Sequence, residues 1–231
     1  MERDREKPRG MRIGESVFCV GYLLFAFAAA LAFLLAAGRA GAWAATCGVM
    51  TLLLGAGDAF HLVPRVLANV RGETSDAAEQ RRRAFWLGLG NLVSSVTMTV
   101  FYLLLFVVMR ERAYPGTTIA DVQMPVFVAL VVLAVVRVAL CLFPQNRWFD
   151  GVGDRRWGIY RNVPFAVMGA VTIWYLVAWY GEWLMATLVL VSFACYLGVV
   201  LGARRRPMLG MLMIPKTVCY ICLIALLLAR L

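Results

Sequence analysis

The sequence predicts an all-α polytopic membrane protein, a seven-transmembrane-helix bundle with its N-terminus in the cytoplasm and its C-terminus outside. Three observations predict it. Of the 231 residues, 62% are hydrophobic and only 16% are charged, whereas soluble domains carry about a quarter charged residues. The apolar residues form long continuous runs, which do not fit the alternating strands of a membrane β-barrel. The basic residues cluster between those runs.

The apolar runs are long enough to be membrane spans, because a helix needs about 20 apolar residues to cross about 30 Å of hydrocarbon. Seven segments meet this requirement: Ser16–Ala37, Ala42–Val63, Ala84–Met109, Met124–Leu142, Ile159–Tyr180, Trp183–Leu201 and Met208–Ala229. Residues 1–15 precede the first span and form a basic cytoplasmic tail. Residues 16–231 form a single transmembrane domain.

The positive charge of the connections sets the predicted orientation. Segments on one side of the membrane carry 17 of the Lys and Arg residues, and segments on the other carry four, namely Arg39, Arg110, Arg112 and Arg230. Basic connections remain in the cytoplasm. An even number of spans would break this alternation. The net charge of +10 therefore reflects topology, so we expect membrane lipids rather than nucleic acid as partners. We expect a multi-pass protein of the cell membrane, the inner (cytoplasmic) membrane if the source is bacterial.

Four spans each place a polar side chain at a similar depth. At about 1.5 Å per residue, Asp58, Asn91 and Arg137 lie about 10 Å below the cytoplasmic surface, and Lys216 lies about 12 Å below it. The polar side chains in the outer half of the spans are mostly hydroxyl groups. Because ionisable residues inside a membrane span usually mark function, this layer is the predicted site.

The second span ends in GDAFHLVPR, residues 57–65, which carries the only histidine of the chain. Asp58, His61 and Arg65 are spaced i, i+3 and i+7, so they share one helix face. Asp58 is predicted to pair with Arg137 and Lys216, because an isolated charge at this depth would cost several kcal/mol. The pair has three interpretations: a structural ion pair that fixes helix register, part of a ligand or substrate site, or part of a proton relay.

One acid facing two bases leaves an excess positive charge, which favours an anionic small molecule or a lipid head group as ligand. The predicted ligand-binding residues are Asn91, Arg137, Tyr160, Arg161, Asn162 and Lys216. Pro215 directly precedes Lys216, and a helix kink is expected there. No metal site and no cofactor are predicted, because one histidine with scattered cysteines does not supply a ligand set.

Three functions fit this layer. In the first, the protein is a lipid-modifying hydrolase in which Asp58 and His61 are catalytic and supply acid–base chemistry. In the second, it is a small proton-coupled transporter in which Asp58 changes protonation state. In the third, it is an opsin-like sensor with Lys216 as covalent anchor. The sequence leaves enzyme, carrier and sensor open.

Two resemblances accompany these hypotheses. The GD-x-F-H motif at Gly57–His61 resembles the second helix of seven-helix membrane hydrolases, a superfamily that includes alkaline ceramidases and progestin/adipoQ-type receptors. The last span lacks the zinc histidines of that superfamily, so the resemblance implies a zinc-free relative, in the manner of lysoplasmalogenases. A lysine in the last span is similar to the Schiff-base lysine of opsins, for which Asp58 would serve as counter-ion.

Overall fold

The computed structural model describes residues 9–72, 74, 76–116, 123–150, 153–202 and 207–231. Its α-helices are α1 (Arg9–Arg71), α2 (Ala77–Ala113), α3 (Met124–Leu142), α4 (Arg155–Ala178), α5 (Trp183–Gly202) and α6 (Met213–Leu228). Short 3-10 turns cover Pro144–Asn146, Trp148–Asp150 and Pro207–Leu212. The basic residues at positions 3, 5, 7 and 204–206, which are predicted to be cytoplasmic, lie outside the described residues.

Six of these helical segments are long and apolar enough to cross a membrane, counting α6 together with the turn before it as Met208–Leu228. The prediction of an all-helical membrane protein is therefore confirmed for the described part of the chain. The bounds of α3 match the predicted span. Polar residues extend both ends of α2 and the start of α4 beyond the apolar runs, whereas α4 and α6 end one or two residues before the predicted spans. Helix α2 starts at Ala77 instead of Ala84, since the carboxylate of Asp76 accepts a hydrogen bond from the Ala78 amide at 2.9 Å.

Helix α1 contains two predicted spans and reverses direction at Gly41. A straight helix of 63 residues would be about 95 Å long, about three times the thickness of the hydrocarbon core. Gly41 has φ 71° and ψ −158°, a conformation that is essentially restricted to glycine. Residues on either side of Gly41 therefore form two arms, residues 9–40 and 42–71, which we call the first and second arms.

The two arms of α1 pack against each other in antiparallel orientation. Near the turn, a Cβ added at Gly48 would contact the side chain of Leu34, and further along the Tyr22 hydroxyl reaches Asp58. At the far end, the Arg12 guanidinium donates from Nε to the Asn69 carbonyl at 3.1 Å. These contacts place the start and the end of α1 side by side.

The helices form a closed ring in chain order. Each helix packs against the next, and α1 also packs against α6, which closes the ring. Aromatic side chains from four helices fill its centre: Phe101, Tyr102, Phe165, Phe193 and Tyr220. The second arm of α1 approaches α2 very closely at Gly90, where an added Cβ would overlap the backbone of Phe60 and His61. This approach brings the predicted Asp58 face into the ring.

The kink predicted at Pro215 is wrong. Residues Pro207–Leu212 form a 3-10 turn, and the α-helix begins only at Met213. Pro215 therefore lies in the first turn of α6, where the amide that proline lacks would have no helical partner. The proline helps to start the helix, and Lys216 follows within that first turn.

Candidate functional site

Asp58 is held by two hydroxyl groups from different helical segments. Tyr22 of the first arm donates to Oδ2 at 2.7 Å, and Ser94 of α2 donates to Oδ1 at 2.9 Å. Hydrogen bonds to a charged acceptor are stronger than those between neutral groups. Each carboxylate oxygen of Asp58 accepts one hydrogen bond from a neutral hydroxyl group. These two bonds fix the orientation of the side chain and join both arms of α1 to α2.

The direct ion pair predicted for Asp58 is not formed. Within the described ranges, no nitrogen of Lys216 or Arg137 lies within 4.0 Å of a carboxylate oxygen of Asp58. The ammonium of Lys216 nevertheless interacts electrostatically with both Asp58 and Arg137. Lys216 is thus close enough to interact with both Asp58 and Arg137, but the hydroxyl groups of Tyr22 and Ser94 contact the carboxylate where the two bases were expected.

Lys216 lies in an aromatic environment, with only 8% of the residue exposed. Its Nζ lies 5.4 Å from the ring centroid of Tyr196 and 5.5 Å from that of Tyr220, which is within the range of cation–π attraction. The hydroxyl groups of Tyr220 and Tyr102 are 2.9 Å apart, so they share a hydrogen bond. Aromatic rings therefore stabilise the ammonium without neutralising its charge.

Arg137 is the largest fully buried side chain, with 1% of the residue exposed. Its Cζ lies 3.2 Å from the ring centroid of Phe165, so the guanidinium stacks on that ring. Among the residues that the structure describes, neither Nε nor Nη1 has a hydrogen-bond partner, and the guanidinium interacts otherwise with the thiol of Cys141, a weak acceptor. A buried charged donor without an acceptor is costly, and such groups usually bind something or are paired. These two N–H groups are the strongest indication of a ligand in the ring.

His61 lies beside this group on the second arm. Its Nδ1 is buried and has no hydrogen-bond partner in the described part of the chain. Asp58, Lys216 and Arg65 all interact with the imidazole electrostatically. His61 therefore lies near the carboxylate, but its Nδ1 makes no hydrogen bond to it within the described residues.

Arg161 and Asn162 hold α4 to its neighbours. Arg161 donates from Nη1 to the side-chain oxygen of Asn146 at 2.7 Å, and its guanidinium lies 4.0 Å from the ring centroid of Trp148. The amide of Asn146 donates in turn to carbonyls at the end of α3, including that of Cys141. Asn162 accepts a hydrogen bond from the Tyr196 hydroxyl at 2.7 Å. Arg161 is therefore engaged in closing the connection from α3 to α4.

Two of the predicted ligand-binding residues are not brought into this group. Asn91 is exposed, and the side chain that faces Asp58 one turn later is Ser94. Tyr160 is 53% exposed and packs edge-on against Trp157. Both placements depend on how each helix is rotated about its axis, and the depth of a residue in the membrane does not determine that rotation. Arg65, predicted at the mouth, pairs with Glu15 at 2.7 Å and links the ends of the two arms.

Sequence reasoning missed Tyr22, Tyr196 and Phe165. Aromatic residues in apolar spans give no signal of their own, because most of them only pack. One sequence feature could have indicated Tyr22. Gly41 lies almost midway between Tyr22 and Asp58, so a helical hairpin that turns at Gly41 would bring these two residues together.

Among the described residues, no group of three or more His, Cys, Asp or Glu side chains is arranged to hold a metal ion. Comparisons of the chain with protein-family models, with curated proteins and with solved structures found no significant match. Asp58, His61, Arg137 and Lys216 form the candidate site, and we call this group the polar core.

Proposed function

We propose that the chain crosses the membrane seven times, with the N-terminus in the cytoplasm and the C-terminus outside. Each arm of α1 counts as one crossing, because the chain reverses at Gly41 between them. The distribution of basic residues supports this orientation. The polar core then lies in the cytoplasmic half of a protein of the cell membrane.

The polar core is a binding site for an anion. Arg137 carries this proposal, because its guanidinium is almost completely buried and two of its nitrogens have no acceptor in the described structure. Lys216 adds a second buried cation, while Asp58 supplies one negative charge that two hydroxyl groups already bind. The local sum of charges is positive, so an anion would lower the free energy of the site.

The ligand is a phosphate or a carboxylate, free or on a lipid head group. A guanidinium offers two planar forks, Nε with Nη2 and Nη1 with Nη2, and each matches two oxygens of such a group. The unpartnered Nε and Nη1 of Arg137 belong to one fork each. The ammonium of Lys216 would contribute a point charge to the same ligand. A lipid is the favoured source, because its head group can approach from the adjacent leaflet with its acyl chain still in the membrane.

Binding can be tested by thermal unfolding of the purified, delipidated protein in neutral detergent. The probes are lysophosphatidic acid, lysophosphatidylcholine with the same acyl chain, and inorganic phosphate. We expect lysophosphatidic acid to raise the unfolding temperature more than lysophosphatidylcholine does. In Arg137→Gln the affinity for lysophosphatidic acid should fall by at least about 30-fold, since losing one partner of a buried charge pair costs about 2 kcal/mol or more.

Two control variants complete the test. Arg137→Lys keeps the charge but loses the planar fork, so it should bind with intermediate affinity. Arg156→Gln removes an exposed arginine at the start of α4 and should bind like the wild type. Stabilisation by phosphate alone would identify a free anion as the ligand. Equal stabilisation by both lysolipids without any effect of phosphate would refute an anion site.

Hydrolysis is the second candidate, favoured by the unpartnered Nδ1 of His61 close to Asp58. An imidazole can take a proton from water while the water oxygen attacks an ester carbonyl, and the proton then passes to the leaving alcohol. Asp58 would stabilise the resulting imidazolium. If this holds, Asp58→Asn and His61→Ala both abolish release of fatty acid from a lysolipid panel, and His61→Ala does so while preserving the unfolding temperature. Full activity in both variants would exclude this chemistry.

A further inference from the structure

A second feature of the structure lies away from the polar core, between the second arm of α1 and the first turns of α2. It is a groove of about 500 Å³, a size typical of ligand sites. Phe60, Val63 and Leu67 line one wall, and Trp86 lines the other. All four are between 45% and 49% exposed, so the groove opens on the outer surface of the helix pair.

The groove is apolar along its length and basic at one end. Its wall on α1 runs from Ala59 to Arg71, about 18 Å along the helix axis, which is comparable to half the hydrocarbon thickness. Arg71, Arg82 and Arg83 lie at the end that we place at the cytoplasmic surface. Trp86 is at the depth where tryptophan usually contacts lipid head groups.

The charges at this end are unequal. Among the described lining residues Glu79 is the only acid, and Arg83 binds it at 3.1 Å while also donating to the Gly72 carbonyl at 2.6 Å. Arg71 lies farther from Glu79, at 3.8 Å, and is largely exposed. Arg82 is exposed as well. Glu79 thus faces Arg71, Arg82 and Arg83 with a single negative charge, so positive charge remains in excess at this end for an external anion.

We propose that this groove binds an anionic phospholipid of the cytoplasmic leaflet. One acyl chain lies along Phe60, Val63 and Leu67, and the phosphate lies between Arg71 and Arg82. The groove suits an anionic phospholipid because its apolar walls extend over the depth of one leaflet, as an acyl chain does, and Arg71 and Arg82 can bind a phosphate. This inference rests on the proposed membrane orientation but not on the proposed anion site, since the groove shares no residue with the polar core.

Trp86 provides the reporter for a test in reconstituted bilayers. Vesicles of phosphatidylcholine contain an equal, small fraction of brominated phosphatidylglycerol or brominated phosphatidylcholine, whose bromine atoms quench tryptophan fluorescence on contact. Subtracting the signal of Trp86→Phe from that of the wild type isolates quenching at the groove. We expect brominated phosphatidylglycerol to associate with the groove several-fold more strongly than brominated phosphatidylcholine.

The arginine variants decide the origin of this preference. Arg71→Gln and Arg82→Gln should each lower the preference by up to about fivefold, the effect of one basic residue near an anionic lipid. Arg81→Gln is the matched control, because Arg81 is exposed and adjacent but is not among the lining residues. Equal quenching by the two lipids in the wild type, or an equal loss in Arg81→Gln and Arg82→Gln, would overturn the proposal.

Discussion

Replacing Gly41 with alanine is expected to destabilise the protein through the backbone alone. An alanine at φ 71° and ψ −158° is strained, at a cost of about 1–3 kcal/mol. No heavy atom lies within 4 Å of the added Cβ, so no steric overlap contributes. Gly38→Ala is the matched control, because Gly38 is helical and equally open. That substitution should stabilise the helix by about 0.5–1 kcal/mol.

The two variants should therefore differ by about 1.5–4 kcal/mol in free energy of unfolding. The assay is unfolding by sodium dodecyl sulfate in mixed micelles, followed by tryptophan fluorescence. Gly41→Ala should unfold at a lower mole fraction of the denaturing detergent than the wild type, and Gly38→Ala at an equal or higher one. A stabilised Gly41→Ala variant would mean that α1 continues as a helix through residue 41, which refutes the reversal.

Three further predictions use the same unfolding assay. Tyr22→Phe removes the 2.7 Å hydrogen bond to the partly buried carboxylate of Asp58 and should cost about 1.5–3 kcal/mol, whereas Tyr160→Phe on the exposed face should change stability by less than about 0.5 kcal/mol. Gly90→Ala should cost at least about 1–3 kcal/mol through backbone overlap, and Gly21→Ala, which meets no atom within 4 Å, should not destabilise; equal effects would contradict the close helix contact. Asn146→Ala should cost about 1–3 kcal/mol because the carbonyl groups at the end of α3 lose the amide that donates to them. An unchanged unfolding midpoint would show that these hydrogen bonds are dispensable.

Hydropathy predicted most of the fold because the bilayer imposes length and composition on each span. The predicted bounds of Met124–Leu142 coincide with α3, where apolar residues run to both ends. The ends of α2 and α4 were predicted less well, since polar residues continue these helices into the interface. The reversal at Gly41 could be anticipated from span length, but its backbone conformation could not.

The polar core was predicted in part for a similar reason. Depth follows from counting residues, and it placed Asp58, Arg137 and Lys216 in one layer. In the structure Lys216 interacts electrostatically with both of the others, but no direct ion pair to Asp58 forms among the described residues. Rotation about the helix axis decides which side chains meet, and it depends on packing at positions such as Gly90. This explains why Ser94, rather than Asn91, faces Asp58, and why Tyr160 lies outside.

The central claim is that the guanidinium of Arg137 binds an anion inside the ring of helices. Solid-state NMR can measure this contact directly through the dipolar coupling between ³¹P of bound lysophosphatidic acid and ¹³Cζ of arginine. Arg137→Lys, which removes one labelled carbon, assigns the signal. We predict a phosphorus–Cζ distance of about 4 Å, the value for a bidentate pair. An unchanged coupling in Arg137→Lys would contradict the claim, because the phosphate would then lie on another arginine.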